Sequence, residues 1–202
     1  MTSTLKKWRG RWLIVLGVLA VGAILMLSAR EPNYRGRTLS SWLQQCSDTP
    51  LMETQRLAEA QAAVQAIGAE QALPQLLRSI KAKESPAGVW LAAKTEKLGI
   101  RFFRHRSALD KQLQGIAGFE VLGTNTAPAV TESMALLNDK EFSFVAARCL
   151  EHVGKPAESA LCQGLTNQNW QVRHLSVPAL ASVTDDVEVY LARIKERLRD
   201  AE

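Results

Sequence analysis

From Thr38 onward, apolar residues return every three or four positions, and no run alternates apolar with polar residues long enough for a convincing strand. The pattern predicts an all-α chain. Residues 38–46 (TLSSWLQQC) open on an N-cap residue type and put Leu39, Trp42 and Leu43 on one face, predicting a short helix. A recurring block follows, anchored on Gly68, Gly123, Gly154 and Thr184. One position before each anchor stand Ile67, Leu122, Val153 and Val183, and four before stand Val64, Phe119, Leu150 and Leu180. Five before stand Ala63, Gly118, Cys149 and Ala179, and eight before stand Ala60, Gly115, Ala146 and Ser176. These offsets share one helical face. The large residues of the first two columns are expected to fill the space between layers. The small residues of the last two are expected to let a neighbouring helix approach closely. Gly at three of the four anchors predicts helices that end in the left-handed αL conformation, where a Cβ would clash.

A second helix is predicted after each anchor. Its apolar positions are Leu76, Leu77 and Ile80; Val130, Met134 and Leu137; Leu161 and Leu165; and Leu191, Ile194 and Leu198. Pro74, Pro128 and Pro156 are expected in the first turns of three of these helices, where a missing N–H costs nothing. The anchors lie 55, 31 and 30 residues apart, so an insertion at about 84–111 interrupts an otherwise near-regular unit. Helical hairpins of this period cannot bury their faces alone. They are expected to stack into an α-solenoid over residues 38–202.

The start of the chain has a different character. Residues 12–29 (WLIVLGVLAVGAILMLSA) form an 18-residue stretch without a charge. As a helix it would span roughly 27 Å, close to the ~30 Å apolar core of a bilayer. Lys6, Lys7, Arg9 and Arg11 precede it, within a basic leader over residues 1–11. The same arrangement describes a cleavable signal peptide. The best cleavage position, Leu27-Ser28-Ala29, puts a bulky Leu where a small residue is needed, so an uncleaved signal anchor is the expectation and a secreted module the lesser one. The basic flank predicts an N-in orientation, with the bulk of the chain outside the cytoplasm, which in a bacterium is the periplasm. Residues 30–37 (REPNYRGR) read as a short tether.

Charge and cysteine content change this picture little. Five of the 25 Lys and Arg residues lie in residues 1–30, which contain no acid, so the rest of the chain carries 20 of each sign. The net charge of +5 therefore describes the leader, and a nucleic-acid partner is not expected. Three cysteines, Cys46, Cys149 and Cys162, cannot make a disulfide framework, and Cys149 with Cys162 is the one plausible pair.

Several stretches resemble a known family. They are residues 32–43 (PNYRGRTLSSWL), residues 63–68 (AVQAIG) with Ala72-Leu73-Pro74, residues 119–123 (FEVLG) with Ala127-Pro128, and Val172-Arg173 ahead of Ala179-Leu180. Together they look like short-period, phycobilisome-lyase-like HEAT repeats, and most like bacterial proteins that carry such repeats behind an N-terminal membrane segment. The resemblance covers roughly residues 31–200. It implies a scaffold for protein contacts rather than an enzyme, and it implies that Arg173 pairs with an acid in the adjacent layer. Pro178 inside a repeat helix, Thr184 at a turn position, and Phe142-Ser143 where Val-Arg is usual all depart from the family pattern.

The insertion holds the concentrated charge beyond the leader. Ser85-Pro86 is an N-cap followed by Pro at the first helical position, and a helix is expected up to Gly99. Residues 100–106 (IRFFRHR) form a basic-aromatic run before a helix from Ser107. Candidate partner-binding residues are Trp90, Arg101, Phe102, Phe103, Arg104, Arg106 and Trp170, since aromatic and Arg side chains dominate interface hot spots. The bland reading makes the Phe pair a plug between repeats and the Trp residues core. No His-Glu-x-x-His, Cys-x-x-Cys, nucleophile elbow or phosphate loop occurs, so no metal, cofactor or catalytic residue is expected. The alternative is a lyase- or glycosylase-like helical-repeat enzyme using the Arg101–Arg106 region with Trp90 or Trp170.

Overall fold

The computed structural model describes residues 31–49, 53–97 and 106–184, with 191, 192 and 195. It is mostly helical. Among the described residues the α-helices with defined bounds are α1 (Leu39–Asp48), α2 (Thr54–Ile67), α3 (Ala69–Ile80), α4 (Pro86–Lys97), α5 (Ala108–Leu122), α6 (Val130–Leu136), α7 (Ser143–Val153), α8 (Glu158–Gly164) and α9 (Trp170–Val183). Two 3-10 segments, Gly123–Ala129 and Lys155–Ala157, lead into α6 and α8. Among the described residues no helix is long and apolar enough to cross a membrane, and the expected span at 12–29 lies outside them.

Residues 31–37 depart from the expected tether. Strands β1 (Asn33–Tyr34) and β2 (Arg37–Thr38) pair antiparallel, Asn33 opposite Thr38 and Tyr34 opposite Arg37. Arg35 and Gly36, both at positive φ (50° and 74°), make the two-residue loop, as a type I′ hairpin turn requires. The hairpin is bound to the body. The Trp42 indole N–H donates to the Tyr34 carbonyl at 3.1 Å, and the Arg37 guanidinium lies over the Trp42 ring, 3.9 Å from its centroid. A strand of two residues is too short to show alternation, which is why the sequence pattern hides it.

The sixteen column positions are all buried, from Ala60 and Val64 in α2 to Ala179 and Leu180 in α9. Column by column, the large residues form the core and the small ones mark close approaches. A Cβ built on Gly118 would lie 2.3 Å from Leu76 Cδ2, and one on Gly115 would lie 2.6 Å from Ile80 Cγ2. Both glycines thus let α5 nest against α3. The first helices α5, α7 and α9 pack side by side, α1 packs against both α2 and α5, and α3, α6 and α8 lie behind. Helix α4 forms no extended interface with another described element.

Three details of the unit differ from expectation. The anchor glycines adopt positive φ, but Gly68 at ψ 156°, Gly123 at ψ −129° and Gly154 at ψ −144° are extended rather than αL. That region is essentially restricted to glycine, so the residue type was legible and the turn conformation was not. Thr184 takes φ −89° and ψ 132°, an ordinary extended conformation that needs no glycine. Pro74 sits in the interior of α3 instead of its first turn, because that helix starts directly after Gly68. Pro128 and Pro156 fall in the 3-10 segments ahead of α6 and α8. Leu191, expected on a buried face, is exposed, and Ile194 and Leu198 lie outside the described residues.

Candidate functional site

Extending the repeat register past the core face uncovers a second pattern. Ten positions before the anchors stand Ala58, Leu113, Phe144 and His174, and fourteen before stand Thr54, Leu109, Lys140 and Trp170. All eight are exposed. Four of these positions hold large apolar side chains, Leu109 (61% exposed) and Leu113 (47%) on α5, Phe144 (67%) on α7 and Trp170 (66%) on α9, while Lys140 precedes α7 and His174 takes the other position on α9. Because α5 packs against α7 and α7 against α9, these exposed side chains lie on the N-terminal halves of neighbouring helices, and by register they make up a ridge. Single exposed apolar residues are ordinary, but a run at matching register on adjacent helices is a candidate contact surface.

Polar groups hold the start of each ridge helix in place. The Ser107 hydroxyl accepts from the Asp110 N–H at 3.0 Å while the Asp110 carboxylate accepts from the Ser107 N–H at 3.1 Å, a capping box beneath Leu109. Asp139 builds the turn before α7, its side chain accepting from the Glu141 N–H at 2.9 Å and its carbonyl from the Ser143 N–H at 2.8 Å. Asn169 caps α9 by accepting from the Gln171 N–H at 3.0 Å, and its amide reaches back to the Asn138 side chain at 3.2 Å. Arg173 donates to the carbonyls of Asn167 at 2.9 Å and Gln168 at 2.8 Å. That replaces its expected pairing with an acid: those loop carbonyls lie within a turn of α9 and claim the guanidinium first. The rings of Trp170 and His174 stand 6.2 Å apart at 50°.

The sequence-based candidates divide. Trp170 belongs to the ridge. Trp90 is 62% exposed on α4, with the Lys94 ammonium over its ring at 5.3 Å, on a helix that shares no extended interface with the ridge. Arg106 precedes α5 and its guanidinium donates to the Gln44 side chain of α1. Arg101, Phe102, Phe103 and Arg104 lie outside the described residues. Trp42, by contrast, is core. Sequence reasoning missed Leu109, Leu113 and Phe144; aligning the same four anchors six residues further upstream would have found them.

Cys46, Cys149 and Cys162 are free thiols, so the candidate Cys149–Cys162 bridge is not formed. Burial pushes the Cys46 thiol up to about 11, helped by the Glu120 charge, and pushes Cys149 higher still. Neither is an activated nucleophile. Burial lowers the His152 pKa, against the opposing charges of Glu120 and Glu151, while Arg148 adds to the lowering. Among the described residues no three His, Cys, Asp or Glu side chains converge as a metal site would require. Comparisons of the chain with protein-family models, with curated proteins and with solved structures find no match.

Proposed function

We propose that the chain is a membrane-anchored adaptor: an α-solenoid of HEAT-like hairpins, held by residues 12–29 with its bulk outside the cytoplasm, that binds another protein through its helical surface. The observation that carries the reading is the ridge of Leu109, Leu113, Phe144 and Trp170. Four large apolar side chains on three adjacent helices, two of them capped, present area at low ordering cost, which is what a protein partner needs. The neutral charge balance beyond residue 30 supports a protein rather than a nucleic acid. No enzymatic role is proposed, and Trp90 with the basic insertion stands as a secondary contact.

Photo-crosslinking in intact cells tests this. A photoreactive residue at Phe144 or Trp170 is expected to give a discrete protein adduct, while one at the exposed Ser159 of α8 gives none. Equal adducts at all three positions, or none at any, would reject the ridge as the docking surface. A topology reporter fused after Glu202 tests the anchor separately, and a cytoplasmic signal would reverse the orientation.

A further inference from the structure

A second feature lies away from the ridge. A cavity of about 440 Å³ opens where α1, α3 and α5 meet the chain arriving at residue 31. Its wall carries four cations, Arg78, Lys83, Arg106 and Lys111, against one carboxylate, Glu31. Glu31 is occupied by neutral donors, accepting from the Ser40 hydroxyl at 2.8 Å and the Gln75 amide at 3.3 Å. Lys83 is paired with Glu141 at 2.8 Å. Arg78 spends its Nε on the Pro74 carbonyl at 3.1 Å, and among the described residues its two terminal nitrogens and the Lys111 ammonium have no acidic partner.

Gln114 makes this more than a charged surface. It lines the same cavity from within α5 and is only 4% exposed; among the described residues no protein group bonds its side-chain amide, whose atoms are reached from the cavity. An amide at the cavity wall has two N–H donors to give, and an anion with several acceptor oxygens satisfies them. We infer that this cleft is a phosphate-binding site, with the Arg78 guanidinium, the Lys111 ammonium and the Gln114 amide donating to one phosphate group. The guanidinium fork spans two phosphate oxygens and the ammonium and amide take the remainder, whereas a carboxylate leaves donors unmatched. The phosphate belongs either to an anionic lipid headgroup or to a soluble phosphate monoester. Glu31 stands two residues beyond the 12–29 segment, which under the anchor reading puts the cleft at headgroup depth. The site itself requires neither the anchor nor the protein partner, so it stands or falls independently of the adaptor reading.

The test uses the full chain in detergent micelles, titrated calorimetrically with glycerol 3-phosphate, and the same chain in phosphatidylcholine nanodiscs with added phosphatidylglycerol, followed by native mass spectrometry. Arg78→Gln with Lys111→Gln changes two exposed residues and is expected to keep the helical spectrum while weakening phosphate binding about tenfold or more. Gln114→Leu is expected to weaken it as well. Saturable glycerol 3-phosphate binding without phosphatidylglycerol enrichment assigns a soluble ligand. Enrichment that the double variant loses assigns the lipid. Neither binding nor enrichment, binding unchanged in the double variant, or acetate binding as tightly as the phosphate, overturns the site.

Discussion

Ser176 shows how one atom can work against its column. It stands where the other repeats hold Ala60, Gly115 and Ala146, and among the described residues its buried hydroxyl has no partner. It also lies against α8, where a Cβ built on Gly164 would come 2.2 Å from Ser176 Oγ. Ser176→Ala is therefore expected to raise stability by about 1 kcal/mol, read from chemical denaturation. Leu150, fully buried in α7, gives the opposite sign. Leu150→Asp buries a charge with no counter-ion and is expected to lose more than about 3 kcal/mol, and an unchanged melting temperature would show that the register is wrong. His152 links stability to pH. Its folded-state pKa lies below the ordinary 6.5, chiefly through burial. Above that value both states are neutral and nothing changes. As the pH falls below 6.5 the unfolded chain takes the proton first, so stability declines until the pH passes the lowered folded value. His152→Gln is expected to flatten that part of the pH–stability curve.

At the scale of elements, the turns decide how each hairpin closes. Gly154 holds φ 73° and ψ −144°, and a Cβ there is strained whatever the space around it. Gly154→Ala is expected to destabilise by about 1–3 kcal/mol. Thr184, at the equivalent position, is already in an extended conformation open to any residue. Restoring the repeat glycine with Thr184→Gly is expected to lose about 0.5–1 kcal/mol rather than gain, through unfolded-state entropy. The pair of melting curves distinguishes a conformational requirement from a mere repeat consensus. The close pairing of α3 with α5 has a different origin. Gly115 and Gly118 leave room for Ile80 and Leu76, and the small columns are spaces shaped for a neighbour's side chains.

At the scale of the molecule, the ridge and the core make separable contributions. Phe144→Ser with Trp170→Ser removes two side chains that are about two-thirds exposed, and stability is expected to stay within about 0.5 kcal/mol. The same variant is expected to abolish partner capture in a pull-down from membranes, which separates a contact surface from structural apolar residues. Which face of each first helix is buried was legible in the chain, because helical periodicity is a local property and the −1, −4, −5 and −8 columns repeat it four times. The sequence also marked the glycine turns, the Ser85 and Ser107 helix starts and Trp170 as a candidate contact residue. It did not reveal the β1–β2 hairpin, too short to carry a pattern, or the carbonyl partners of Arg173. That Leu109, Phe144 and Trp170 fall on neighbouring helices and stay uncovered is a matter of packing, since exposure depends on what each helix has as its neighbour. Only packing, too, could gather Glu31, Arg78, Arg106, Lys111 and Gln114 around one cavity, because residues so far apart in the chain meet through the contacts of α1, α3 and α5 and through no local periodicity.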